Sequence, residues 1–163
     1  MLPEKYHIVP IWQDGDMSST LTGDSVNMKN YLSATYILTF GTLGTASSVF
    51  TIYSGTTDAA TTSALYFYYA WGGAAIGTAV AGSASSCDVL AAWTNAATLT
   101  ITYTTYSNYM LVVYLKATAM DIANEEEWLT PILTDPGTAT GTVDCICLLE
   151  PRYAENRSGT ALA

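Results

Sequence analysis

Thr98-Leu99-Thr100-Ile101-Thr102-Tyr103-Thr104 alternates a threonine with a larger apolar or aromatic residue at every step. A repeat of two sets Leu99, Ile101 and Tyr103 on one face of an extended chain and the threonines on the other. That is the pattern of a strand half buried on a core. Working outward, residues 32–40 are rich in Thr, Ile, Tyr and Phe and stop at Gly41, and residues 49–53 stop at Ser54-Gly55. Residues 64–71 form a dense aromatic run closed by Gly72-Gly73. Each reads as a strand bounded by a turn. Residues 109–116 and 142–149 are almost continuously apolar, which predicts strands buried on both faces. Residues 75–86 are Gly, Ala and Ser with little to pack, a long loop or a weak strand.

One segment reads as helical. Over residues 122–129, Asn124 stands as a cap, Glu125, Glu126 and Glu127 sit near the positive end of the dipole, and Pro131 is the stop. Strands separated by Gly, Ser and Thr turns, with one short helix, predict an all-β fold. The architecture expected is an antiparallel β-sandwich, with a jelly roll as one way of winding it. The sandwich is expected over residues 26–153. Residues 1–25 mix charge with Pro3, Pro10 and a Gly-Asp-Ser-Thr cluster and read as an extended N-terminal arm with room for one strand. The alternative is an edge strand of the domain's own sheet, or one exchanged with a neighbour. Residues 154–163 read as a flexible C-terminal tail.

Composition removes several classes of function. Of 163 residues half are apolar, enough for one buried core and too many for a disordered chain. The net charge of −9 would be repelled by a phosphate backbone, so nucleic acid is not an expected partner. The opening residues lack the apolar run of a signal peptide, and residues 65–81 and 109–115 are glycine-interrupted or too short to span a bilayer, so no membrane is expected either. Three cysteines, an odd number, give no disulfide framework and suit a reducing cytoplasm.

Little in the chain can perform chemistry. His7 is the only histidine and lies in the expected arm, where an imidazole would be poorly oriented for catalysis. Cys145 and Cys147 are two apart on a strand and share a face, but with Cys87 they lack a fourth zinc ligand and read as core residues. Glu125 to Glu127 read as a solvated helix start, and Asp14-Gly15-Asp16 as a turn. No catalytic residue, metal site or cofactor is expected, and the chain is not read as an enzyme.

Between Lys29 and Lys116 the only charged side chains are Asp58 and Asp88. A surface so short of charge packs against another protein without desolvating ions. It also offers more Tyr and Thr surface than one sandwich can hide, which predicts a homotrimer. Within the aromatic run Tyr66, Tyr68 and Trp71 are the candidate subunit-interface residues. The same run is the one feature that would suit a carbohydrate-binding module.

Three segments together resemble small virion proteins of tailed bacteriophages, the head decoration or cement proteins. They are Val26-Asn27-Met28-Lys29-Asn30-Tyr31, then Phe50-Thr51-Ile52-Tyr53-Ser54-Gly55-Thr56-Thr57-Asp58 with Ala64-Leu65-Tyr66-Phe67 behind it, and Leu148-Leu149-Glu150-Pro151-Arg152-Tyr153. The chain departs from the family pattern at Tyr53-Ser54-Gly55, where the family has a glutamine-containing segment. The resemblance implies a β-rich protein on the capsid exterior, often trimeric, assembled in the host bacterial cytoplasm with the major capsid protein as partner. A tail, connector or fibre-associated component is the alternative within phages. In that setting Tyr6, Ile8, Val9, Ile11 and Trp12 are the candidate capsid-binding residues, as an apolar strap.

Overall fold

In the computed structural model, which describes residues 5–76, 86–135, 137–153 and 160–162, two antiparallel sheets pack face to face. The strands are β1 (His7–Asp16), β2 (Leu21–Thr22), β3 (Val26–Asn27), β4 (Tyr31–Phe40), β5 (Ser48–Gly55) and β6 (Ser63–Ala64). They continue with β7 (Phe67–Trp71), β8 (Thr94–Ala96), β9 (Thr98–Ile101), β10 (Met110–Lys116), β11 (Trp128–Thr134) and β12 (Thr142–Pro151). The larger sheet runs in the order β1-β12-β4-β10-β7-β8. The smaller runs β2-β11-β5-β6, with β3 also on β11 and β9 also on β5. The all-β sandwich expected from the strand pattern is what the chain forms.

The pairing is nested. β1 pairs with β12, β2 and β3 with β11, β4 with β10, and β5 with β9. Between the sheets, alternate residues of every long strand meet in one core. Ala34, Tyr36, Leu38 and Phe40 of β4 face Phe50 and Ile52 of β5, Leu129 and Leu133 of β11, and Val143, Cys145, Cys147 and Leu149 of β12. Leu99 and Ile101, the apolar phase of the opening repeat, are buried there too, while Thr98 and Thr100 are exposed.

Several expectations change. The segment read as an arm carries an edge strand of the larger sheet, with its inward residues in the core. β1 runs along β12 from His7 opposite Leu149 to Asp16 opposite Thr142, and Val9 and Ile11 lie in the core. The prolines and glycines that suggested an arm belong to an edge strand. Pro10 is exposed, and register shifts flank Trp12, features that blunt an open edge. The loop after β2 fastens this strand to the opposite sheet. A Cβ on Gly23 would come within 2.6 Å of Ile11 and 2.8 Å of Pro131, so only glycine fits.

The expected helix over 122–129 is a 3-10 turn, Ile122–Asn124, followed directly by β11. Pro131 does not stop an element; it sits inside β11 opposite Ile52. Its carbonyl accepts a hydrogen bond from the Gly23 N–H at 2.8 Å, in the gap where β3 has ended and β2 has not begun. The missing proline N–H would have pointed into that gap, so it costs no ladder bond. Residues 64–71 are two strands in different sheets: β6 pairs with β5, the chain crosses at Leu65-Tyr66, and β7 pairs with β10. The opening repeat ends as a strand at Ile101, and Tyr103–Tyr106 form one helical turn. Most of the stretch 75–86 and of the tail 154–163 lies outside the described residues. Of the tail, Ala161 is buried, and its carbonyl accepts from the Asn27 N–H at 2.8 Å.

Candidate functional site

The outward residues of the larger sheet form rows across it, set by strand register. One row is Ile8, Leu148, Thr35, Tyr114 and Tyr68. The next is Pro10, Ile146, Ile37, Val112 and Ala70. Ten positions on five strands thus include no ionisable side chain except the tyrosine phenols. Ile8 is 42% exposed, Ile146 41% and Tyr68 55%, whereas Val112 and Ala70, at the β7 end of the second row, are buried outside the inter-sheet core. Trp93, on the approach to β8, is 49% exposed. It lines a groove of about 530 Å³ together with Thr35, Tyr68, Val112, Tyr114 and Lys116. Charge appears only at the rim. Glu150 and Lys116 flank Ser33 in the row beyond, and Asp144 lies beyond the second row, opposite Thr39.

A sandwich sheet that meets water usually alternates apolar inside with polar outside. β10 and β12 do not alternate, which is why their sequence predicts burial on both sides. Within the described residues the core covers one side of each; the other side of β12 stays partly open at Ile146 and Leu148, while on β10 Val112 is buried there too and Tyr114 is half-buried.

The candidate interface residues divide accordingly. Tyr68 stands in the apolar rows, and Tyr66 is exposed beside it in a second groove with Tyr114 and Lys116. Trp71 faces inward, buried and stacked on Tyr106 at 3.7 Å, so it is a core residue and not an interface one. Of the candidate capsid-binding residues, Val9 and Ile11 are corrected in the same way, because the domain's own core holds them. Ile8 remains on the outer face, Tyr6 is half-buried, and Trp12 is half-buried against the core. Sequence reasoning did not single out Ile37, Trp93, Val112, Tyr114, Ile146 or Leu148. For Val112, Tyr114, Ile146 and Leu148 the signal was the nearly continuous apolar run of β10 and of β12; Ile37, in β4, and Trp93, just before β8, lie outside those runs.

Elsewhere the polar groups are structural. Cys145 and Cys147 are buried, Cys147 directly opposite Tyr36 across the β12–β4 pair. Burial pushes both thiols and the Tyr36 phenol well above their ordinary values, so all three stay neutral. Glu126 is not solvated but buried, a second correction to the acidic run. One carboxylate oxygen accepts from Ser54 Oγ and the other from Ser63 Oγ, the latter at 2.9 Å. This ties β5 and β6 to the turn before β11. Glu127 pairs with Lys29 at 3.6 Å beside it. Among the described residues no three His, Cys, Asp or Glu side chains gather as a metal site, and no helix is long and apolar enough to cross a membrane.

Compared with protein-family models, with curated proteins and with solved structures, the chain matches none. The likeness to phage head proteins therefore rests on the three quoted segments alone.

Proposed function

We propose that the protein is a structural subunit, not an enzyme, that works by burying the outer face of its larger sheet against a neighbouring protein in a multi-copy assembly. The observation that carries this reading is the pair of charge-free rows across five strands. The part of those rows that reaches the surface is Ile8, Ile146 and Tyr68, with the half-buried Leu148, Thr35, Ile37 and Tyr114 between them. It is an apolar patch of the kind that marks an interaction site, and depletion of charge at the centre with aromatics present is the composition of an interface core.

The nested strand pairing supports a jelly-roll reading of the sandwich. Taking β2 with β3 as one strand, and β6 to β8 as an insertion, eight strands pair first with last and inward to β5 with β9. Jelly rolls recur in viral capsids and in lectins, an analogy of fold that supports a function without carrying it. The setting we propose is the exterior of a tailed-phage head, with the major capsid protein and further copies of the chain as partners. The quoted segments, the net charge of −9 and the buried thiols support that setting.

The test uses empty heads of the phage whose genome carries the gene. Mixed with the protein, they should gain surface density in negative-stain images. They should gain far less with Ile37→Asp, which places a charge in the middle of the face. Bare heads with the wild-type protein, or decoration indifferent to Ile37→Asp, would overturn the proposal. One observation favours a second reading: the groove between Tyr68, Trp93 and Tyr114 has the aromatic walls of a sugar site. Saturable binding on a glycan array, lost in Trp93→Ala, would move the assignment there.

A further inference from the structure

β4 lies at the middle of the five strands that carry the apolar rows, with β12 and β1 on one side and β10 and β7 on the other. A two-fold axis parallel to β4, above the face, would lay one copy's β10 over the other's β12, and β7 over β1. The residues that meet are then fixed by register. Thr35 and Ile37 meet their own copies over the axis. Tyr114 meets Leu148 and Tyr68 meets Ile8, and Ile146 comes over the register position of Val112, which its own chain already buries. In the rim row, Lys116 and Glu150 stand one strand to either side of β4, both opposite Ser33. The same rotation brings Lys116 of each copy over Glu150 of the other, giving two ion pairs at one end of the contact. Lys116 makes no ion pair within the described residues. Glu150 accepts from Ser33 Oγ at 2.8 Å through Oε2, which leaves Oε1 for a partner.

We infer that the occupant of this face is a second copy of the chain, packed sheet on sheet about a two-fold axis along β4. This rests on the reading of the face as a docking surface and names its partner. An isologous contact needs a surface complementary to itself. Here large aliphatic residues lie on one side of the centre strand and aromatics on the other, and the rim charges are opposite in sign. Sheets packed face to face keep their strands within about 30° of each other at about 10 Å separation, a gap that lysine and glutamate side chains span together. From strand spacing and rise the face measures roughly 25 by 20 Å. With side-chain relief that approaches the roughly 800 Å² each partner gives to a standard interface. The pairing yields a dimer, where the charge-poor stretch alone suggested a trimer.

Sedimentation equilibrium on the full chain tests the pairing. The wild type should be a dimer at micromolar concentration. Lys116→Glu and Glu150→Lys, each setting like charges face to face twice, should raise the dissociation constant at least tenfold. The double variant Lys116→Glu with Glu150→Lys restores opposite charges and should return to within about threefold of wild type. Thermal melts of dilute samples separate loss of pairing from loss of fold. A wild-type monomer at 100 μM overturns the pairing. So does a dimer unmoved by either single reversal, or a double variant as weak as the singles. If the wild type is monomeric yet Ile37→Asp abolishes its binding to heads, the docking face stands and only the choice of partner falls.

Discussion

At the scale of single residues, the two buried polar sets make opposite predictions. Cys147 fills core space with a small apolar group, so Cys147→Ala should cost only about 1–2 kcal/mol, measured by chemical denaturation. Glu126 holds two hydroxyls, of which Ser54 is fully buried and Ser63 half-buried. Glu126→Ala strands the buried Ser54 hydroxyl and should cost about 1–3 kcal/mol, while the half-exposed Ser63 can turn to solvent; Glu126→Gln should be milder because its amide still accepts one bond. Raised folded pKa values for Cys145, Cys147 and Tyr36 also fix a pH dependence. Above pH 9, the ordinary thiol value, the unfolded chain loses protons that the folded chain keeps, so stability should be constant through neutrality and fall as pH rises further. Melting temperatures from pH 7 to 11 would check the sign, and a rise above pH 9 would refute it.

At the scale of elements, what could be read from the sequence depended on whether local chemistry had one meaning. The Thr98 to Ile101 alternation had one, and it is a strand with the expected face inward. Pro10 and the Gly15 turn signal had two, arm or protected edge, and only pairing with a strand more than 120 residues away decides between them. Glu125, Glu126 and Glu127 are identical in type. Which one is buried depends on where Ser54 and Ser63 come to lie. Pro131 reads as a helix stop because its harmlessness in β11 comes from a gap between two other strands. The strand status of β1 makes a firm prediction. Deleting residues 1–12 removes Val9 and Ile11 from the core and exposes β12 as an edge, so the product should be unfolded or aggregated by circular dichroism. A folded, soluble truncation would restore the arm.

At the scale of the whole molecule, the apolar runs of β10 and β12 were legible as strands buried on both sides; a single chain buries both sides of β10 at Leu111, Val112 and Val113 but leaves Ile146 of β12 exposed. Which face stays open was not legible, because it depends on the order β1-β12-β4-β10-β7 and on Tyr68, Ile37 and Ile146 falling in phase. The central claim is that this face is covered when the protein works. Oxidative footprinting of the assembled wild type against Ile37→Asp measures that cover directly, with Tyr153, 65% exposed and past the end of β12, as the reference. The account predicts that Tyr68, Trp93 and Tyr114 are oxidised several-fold more slowly in the assembled wild type than in the variant, while Tyr153 is unchanged. Equal oxidation of Tyr68 and Trp93 in both, at rates close to that of Tyr153, would contradict it.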